Sequence, residues 1–481
     1  MAWTVDEQLA LTACEAVAAI QAGKLRATDY TATLLARAAA LASLNALTAL
    51  NMEGALKAAR RIDALSPDAK ARLPLAGLPV VVKDNINTAE LQTSGGTPAL
   101  AGFKPNHNAP SVQRLLDAGA VLLGKTNMHE LACGITSTNF AAPGPVRNPY
   151  DPGLIPGGSS GGNAVAVAAR IAPAGLGTDT SGSNRIPAAL TGCVGFRPSV
   201  GNGGAERRYH DPDAVLPLSH TRDTVGPITR TVADAALLDA VITGESALPS
   251  IALAGLRIGL PVPLWDDLDP AVEAVARAAQ HTLEATGVTF VELDMPDLLP
   301  LNEQTSPITA HETLDDIRAW LVANHAPVQT VEELALSIAS PDVREIFEAI
   351  LADPFARYYH AALTVWRPRL QQLYATTFSS QRLDALLFPT TCIAATPLDE
   401  IRGSSVVSVN GRVLDTMLAY LRNTDPAANA GLPGLSVPAG RTADGLPVGI
   451  EFDGPLGSDR QLLAIGSACE QVVGALAPPT I

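Results

Sequence analysis

The seven residues Gly157-Gly158-Ser159-Ser160-Gly161-Gly162-Asn163 set two adjacent serines among four glycines. Gly157, Ser159 and Gly161 match the G-x-S-x-G pattern of a nucleophile elbow, in which the serine sits on a tight strand-to-helix turn. The nine residues before Gly157, "NPYDPGLIP", carry three prolines, so a loop is predicted there and not the strand that an elbow needs. A glycine loop opening a helix can instead cradle phosphate with its backbone N–H groups. Here Gly161-Gly162-Asn163 stands where a P-loop has Gly-Lys-Ser/Thr, and no dinucleotide fingerprint is present. Taken alone, the stretch reads as a structural turn with Ser159 or Ser160 capping the helix after it.

A second glycine–serine turn changes the balance. The segment "GLGTDTSGSNRIPAA" (175–189) starts like a strand, turns at Ser181-Gly182-Ser183 and enters a helix with Pro187 near its first position. One short helix and one strand separate Ser159 from Ser183, so the two turns can be neighbours in space. Lys83 ends the apolar, β-branched run Pro79-Val80-Val81-Val82, which reads as a buried strand. Ligands of open α/β sheets bind beyond the carboxyl ends of strands. Lys83, Ser159 and Ser183 can therefore meet in one crevice.

The elements that must position these residues alternate in type. Helical patterns cover 6–21, 28–43, 51–65, 111–118, 161–170, 231–242 (opened by Thr231), 270–286 and 459–473. Strand patterns cover 79–82, 120–123, 256–261, 288–294, 385–390, 434–440 and 446–452. This alternation predicts an α/β fold with a largely parallel, buried sheet and one large domain. The section 297–380 is more helical and less regular, and holds Trp320, Phe355, Tyr358, Tyr359 and Trp366.

Bulk properties bound the function. The 481 residues are 47% hydrophobic and 17% charged, enough for a sizeable core. A net charge of −15 argues against a nucleic-acid or anionic-membrane surface. Five scattered cysteines without a C-x-x-C pair exclude a disulfide framework and a cysteine zinc site, and fit a reducing cytoplasm. The N-terminus lacks the basic region of a signal peptide, and no uncharged run is long enough for a membrane span.

The block "GGSSGGNAVAVAARIAPAGLGTDTSGSNRIPAALTGCVGFRPS" (157–199) resembles the signature of the amidase signature family. The likeness extends, in family order, to "GLPVVVKDNI" (77–86), "GKTNMHELA" (124–132), "DTVGPITRTVADAALL" (223–238) and "NAGLPGLSVPAG" (429–440). It implies a single α/β/α domain over 1–481, with a central mixed, mostly parallel twisted sheet covered by helices on both faces. It also implies a Ser–cis-Ser–Lys triad: Ser183 as nucleophile, Ser159 after a cis peptide from Gly158 as proton relay, and Lys83 as base. Such chemistry needs a neutral lysine, whose pKa near 10.4 must come down by roughly three pH units, as burial beside an apolar strand allows. Backbone N–H groups of Thr180, Ser181, Gly182 and Ser183 are the candidate oxyanion donors. Gly158, Ser160, Asp179 and Arg185 are expected to organise the two turns. Ser181 and Asn184 depart from the family pattern, which more often has glycine and an aliphatic residue there.

The segment 215–241 looks most like the indoleacetamide and mandelamide hydrolase branch. The resemblance implies a cofactor-free, metal-free hydrolase of small, neutral, possibly aryl-bearing amides, acting with water through an acyl-enzyme, as a monomer or homodimer. Carbamate (urethane), anilide and ester hydrolysis by the same site is the alternative, and an amidotransferase subunit acting on charged tRNA is a further one. The helical section 297–380 is expected to form the substrate pocket wall. His129-Glu130 reads as structural, His220 as ordering its loop, and Arg207-Arg208-Tyr209-His210 as part of a solvated loop, 201–214.

Overall fold

The computed structural model describes residues 3–245 and 248–481. Its strands are β1 (Leu47–Leu50), β2 (Pro79–Lys83), β3 (Val121–Thr126), β4 (Ala174–Asp179), β5 (Val194–Arg197), β6 (Thr224–Thr229), β7 (Arg257–Pro261), β8 (Thr289–Leu293), β9 (Ala385–Pro389), β10 (Val406–Val409), β11 (Arg412–Asp415), β12 (Gly434–Arg441) and β13 (Pro447–Asp453). Eleven of them form one sheet in the order β1-β3-β2-β4-β6-β5-β12-β13-β9-β7-β8, and β10 and β11 form a separate hairpin. Val80, Val81 and Val82 point alternately to the two faces, and all three are buried. Helices therefore cover both faces of the sheet, the α/β architecture that the alternating pattern predicts.

The sheet is mixed but not mostly parallel. β2 pairs in parallel with β3 and β4, and β7 with β8 and β9. The other six pairings are antiparallel. Local connections explain the difference: β12 and β13 are joined by a short turn, which only an antiparallel pair permits. β6 returns from the long excursion 198–223 and inserts between β4 and β5 against both.

Helix ends follow side-chain chemistry. The pattern over 6–21 forms two helices, Val5–Ala10 and Ala13–Gln21, because Thr12 and Glu15 close a capping box that starts the second one. Helix Ala27–Ala40 lacks a local cap, and the Asp63 carboxylate instead accepts from the N–H groups of Ala27 and Thr28. Thr231 caps Val232–Thr243 as expected. The section after 297 is helical, and Ile317, Trp320, Leu321 and Phe347 pack it onto Leu131 and Leu216.

The loop 201–214 is solvated, with Asn202, Glu206, His210 and Asp213 exposed, but it is also anchored. The Arg208 guanidinium pairs with Asp239 and Glu245, and the buried Tyr209 hydroxyl donates to Asp239 at 2.9 Å. Arg207 donates to the carbonyls of Asp223 and His220. All five cysteines are free thiols.

Helix Gly161–Ala168 approaches the end of β3 so closely that a Cβ on Gly162 would lie 2.3 Å from Asn127 O and 2.5 Å from Ala46 O. Both obstacles are backbone. Gly162→Ala is expected to cost about 3 kcal/mol or more of unfolding free energy, read by chemical denaturation.

Candidate active site

The parallel strands β2 and β4 end side by side, and the site is built on their carboxyl ends. Lys83, the last residue of β2, is fully buried. Its Nζ lies 2.7 Å from Ser159 Oγ and 2.8 Å from Thr178 Oγ1. Among the described residues no carboxylate pairs with it. Burial pushes its amine down to about 7, against the opposing pull of Asp179 and Asp223. The amine is thus poised to be neutral near neutral pH.

Ser159 follows a cis Gly158–Ser159 peptide and is fully buried. Its carbonyl accepts the His129 N–H at 3.1 Å. Ser160 precedes the next helix, but its hydroxyl does not cap it. That hydroxyl instead lies 3.1 Å from both Thr178 O and Asn184 Oδ1, bracing the first turn against β4. The Ser160 N–H donates to Ser183 O at 3.1 Å, which joins the two turns. Ser183 is 7% exposed, and among the described residues its hydroxyl makes no hydrogen bond. The structure therefore links Lys83 to Ser159 through side chains and Ser183 to this pair through the backbone.

The second turn is pinned on all sides while its N–H groups stay free. Among the described residues, the N–H groups of Thr180, Ser181, Gly182 and Ser183 have no acceptor. The Thr180 hydroxyl donates to Asp223 at 2.6 Å, and Thr424 Oγ1 donates to Ser181 O at 2.6 Å. Arg222 Nη2 donates to the Ser181 hydroxyl at 2.9 Å. Gly182 has φ +146°, and a Cβ there would fall 2.3 Å from Thr424 Oγ1. Four adjacent free donors on a rigid turn can stabilise an oxyanion.

Below the turn, Asp179 receives Arg185 Nε at 3.0 Å, Arg185 Nη2 at 3.1 Å, the Asn184 N–H at 3.1 Å and Arg197 Nη1 at 3.3 Å. Burial alone would raise its carboxyl, but the two arginines outweigh that and hold it well below the usual carboxylate range. Asn184 fills its position as an internal crosslink, with Nδ2 donating to Phe196 O and Gly226 O.

Several residues here lie in or near the recognised blocks but had no role assigned to them. Thr178 and Asn85, whose Nδ2 lies 3.2 Å from Thr178 Oγ1, complete the surroundings of Lys83. The one signal was positional, since a buried lysine ending β2 needs a polar partner near the end of the parallel β4. Arg222 and Asp223 fall within the segment 215–241 without a predicted role, while Thr424 and Asp425, which accepts from Arg222, carried no signal. His129 and Glu130 are structural: His129 Nδ1 accepts the Ser137 N–H, and Glu130 accepts the N–H groups of Ala339 and Ser340. His220 clips its loop to Asp316 of helix Pro307–Ala323.

Fold and site together define an α/β protein that gathers two serine turns and a buried lysine at the carboxyl ends of two central parallel strands. The amidase family's sequence profile matches residues 29–463. Indoleacetamide hydrolase of Rhizobium radiobacter is 45% identical over 447 residues, covering 92% of each chain. Mandelamide hydrolase of Pseudomonas putida is 39% identical, covering 98% of this chain and 93% of that one. A crystal structure of an amidase superposes with a TM-score of 0.84 at 34% identity, covering 96% of this chain and all of that one. The chain belongs to the amidase family and is a hydrolase of carbon–nitrogen bonds other than peptide bonds.

Because the folded state disfavours the charged Lys83, it binds a proton less readily than the unfolded chain does. The sign follows: between about 7 and the ordinary lysine value of 10.5, unfolding free energy rises with pH through this group. The stability of the wild type relative to Lys83→Met is expected to rise across that window, read by urea unfolding at matched pH values.

Proposed function

We propose that this protein hydrolyses small, neutral, aryl-bearing amides through an acyl-enzyme on Ser183, with Ser159 as proton relay and Lys83 as base. The observation that carries this reading is the buried Lys83 amine, hydrogen-bonded to the Ser159 hydroxyl and pushed down to about 7. Neutral Lys83 takes the Ser159 proton as Ser159 takes that of Ser183. Ser183 Oγ then attacks the amide carbon, and the oxyanion forms against the free N–H groups of the 180–183 turn. The proton returns by the same path to the leaving nitrogen, which departs as ammonia or an amine. Water, activated by the same base, releases the acid. No step requires a metal or an organic cofactor.

The relatives' names support the substrate class, since indoleacetamide and mandelamide are both small aryl-bearing primary amides. The helical section 297–380 is proposed as the wall of the acyl pocket. Arg222 supports this, because it reaches Thr309 with Nη1 at 2.6 Å while its Nη2 holds Ser181. Trp320 packs edge-on against Phe103 in the core, so aryl recognition falls to other side chains of that section. No helix among the described residues is long and apolar enough to cross a membrane. The free thiols fit a cytoplasmic location.

A fluorophosphonate is expected to add once to the wild type, at Ser183, and not to Ser183→Ala, as read by intact mass and peptide mapping. Loss of the nucleophile is expected to lower kcat at least about 10⁴-fold, and Ser159→Ala or Lys83→Ala about 10²- to 10⁴-fold. No adduct on folded wild type would refute the nucleophile assignment. A panel of primary aryl amides, anilides, carbamates and esters then ranks the substrates, and a carbamate turned over faster than every amide would overturn the amide reading. With the best substrate, kcat/KM is expected to rise with pH through a midpoint near 7 as Lys83 loses its proton.

A further inference from the structure

Behind the Ser183 turn lies a fully buried cluster whose charges do not balance. Asp179 on β4 and Glu451 and Asp453 on β13 supply three carboxyls, while Arg185 and Arg197 supply two guanidiniums, all with no exposed surface. Arg185 bridges the cluster, with Nε and Nη2 on Asp179 and Nη1 on Glu451 Oε1. Arg197 adds a contact to Asp179 at 3.3 Å. Glu451 and Asp453 are two apart on one strand, so they share a face, and both converge on Arg185: its Nη1 holds Glu451, and the space above Gly434 borders both that Nη1 and Asp453 Oδ1. Neither Asp453 oxygen, nor Glu451 Oε2, has a donor among the described residues.

Among the described residues no further cation pairs with these carboxyls. Gly434 stands in register with both Asp453 and Arg197, and a Cβ there would lie 3.0 Å from Asp453 Oδ1. Tyr374 faces the pair from helix Arg367–Gln381, and Asp425 from Asp425–Ala430 is already taken up by Arg222 and Asn302. Three acids against two bases leave one negative charge in a dry interior, which is unfavourable. Two carboxyls can hydrogen-bond to each other only if one keeps its proton.

We propose that Glu451 and Asp453 hold one proton between them at neutral pH, and that this shared proton positions Arg185 and, through it, the Ser183 turn. Both are positioning residues, remote from the reacting atoms. Arg185 also donates to Thr424 O at 3.0 Å, and Thr424 in turn holds Ser181 O. Loss of the proton to hydroxide would leave two adjacent carboxylates competing with Asp179 for Arg185. Burial is the main cause that raises both acids, so the folded state favours the protonated pair. Its contribution to stability is complete at low pH and is lost as pH rises through the pair's folded value. Lys83 would then set the acid limb of activity and this pair the alkaline limb.

The effect on activity rests on the serine-hydrolase reading, but the proton itself is read without substrate. Infrared difference spectra of wild type minus Asp453→Asn at neutral pH are expected to show one protonated-carboxyl C=O band. That band should vanish from the wild type on alkaline titration. Glu451→Gln serves as the second variant, because its amide can donate to Asp453 and accept from Arg185. Beyond its alkaline midpoint the wild type is expected to lose about tenfold in kcat/KM per pH unit, and both variants to lose that limb while keeping the acid one. A wild type with no protonated-carboxyl band that titrates at alkaline pH overturns the proposal, whether or not a variant folds. So does an alkaline limb unchanged in both variants. Activity absent on every amide would refute the hydrolase reading and leave the infrared result standing.

Discussion

A primary amine buried without a carboxylate partner is the constraint around which this protein is arranged. Two buried lysines lie at the carboxyl ends of the neighbouring parallel strands β2 and β3, and the structure treats them differently. Lys125 on β3 lies 3.9 Å from Asp84 and donates to Ile86 O, so burial, partly offset by Asp84, pushes its amine down only to about 8. Lys83 on β2 meets only the hydroxyls of Ser159 and Thr178. Hydroxyls stabilise an ammonium far less than a carboxylate does, and desolvation dominates. Three consecutive buried valines, and buried strands on both sides, keep that site dry.

A neutral amine is useful only if its hydroxyl partner is held in place, and this role falls to a rigid polar frame. The Ser159 turn is braced by Ser160, the Ser183 turn by Asp179, Arg185, Arg222, Asp223 and Thr424. The bonds of this frame come from three parts of the chain: 178–185, Arg222-Asp223 and Thr424. The frame leaves the backbone N–H groups of 180–183 unengaged, although buried backbone donors are nearly always paired. That combination of fixed geometry and free donors sets the turn apart from an ordinary glycine loop.

What could be read from the sequence was what is local. The apolar run before Lys83, the prolines before Gly157 and the Thr231 cap each act within a few residues, and each has its expected consequence. The match of several blocks to one family supplied the pairing of the two serine turns. Other features depend on partners far along the chain. Nothing near Ser160 shows that its hydroxyl turns to Thr178 O and Asn184 instead of capping. Nothing near Arg208 and Tyr209 reveals Asp239, which makes a glycine-rich loop a fixed one. The direction of β6 depends on where the excursion 198–223 returns, and strand propensity carries no such information. Glu451 and Asp453 look like the polar positions of a half-exposed strand, and only the sheet order shows both faces of β13 to be covered.

The span of the frame also bears on when the protein becomes active. Lys83, Ser159 and Ser183 all lie in the first 183 residues, but the clamp on Ser181 comes from Thr424 and the acid facing Arg185 from Glu451, 266 positions further on. Contacts of such separation form late, because long loops must close before they can be made. A chain still being synthesised thus carries Lys83, Ser159 and Ser183 before it carries the residues that fix their turns. The two serine turns reach their final geometry only when the last strands dock.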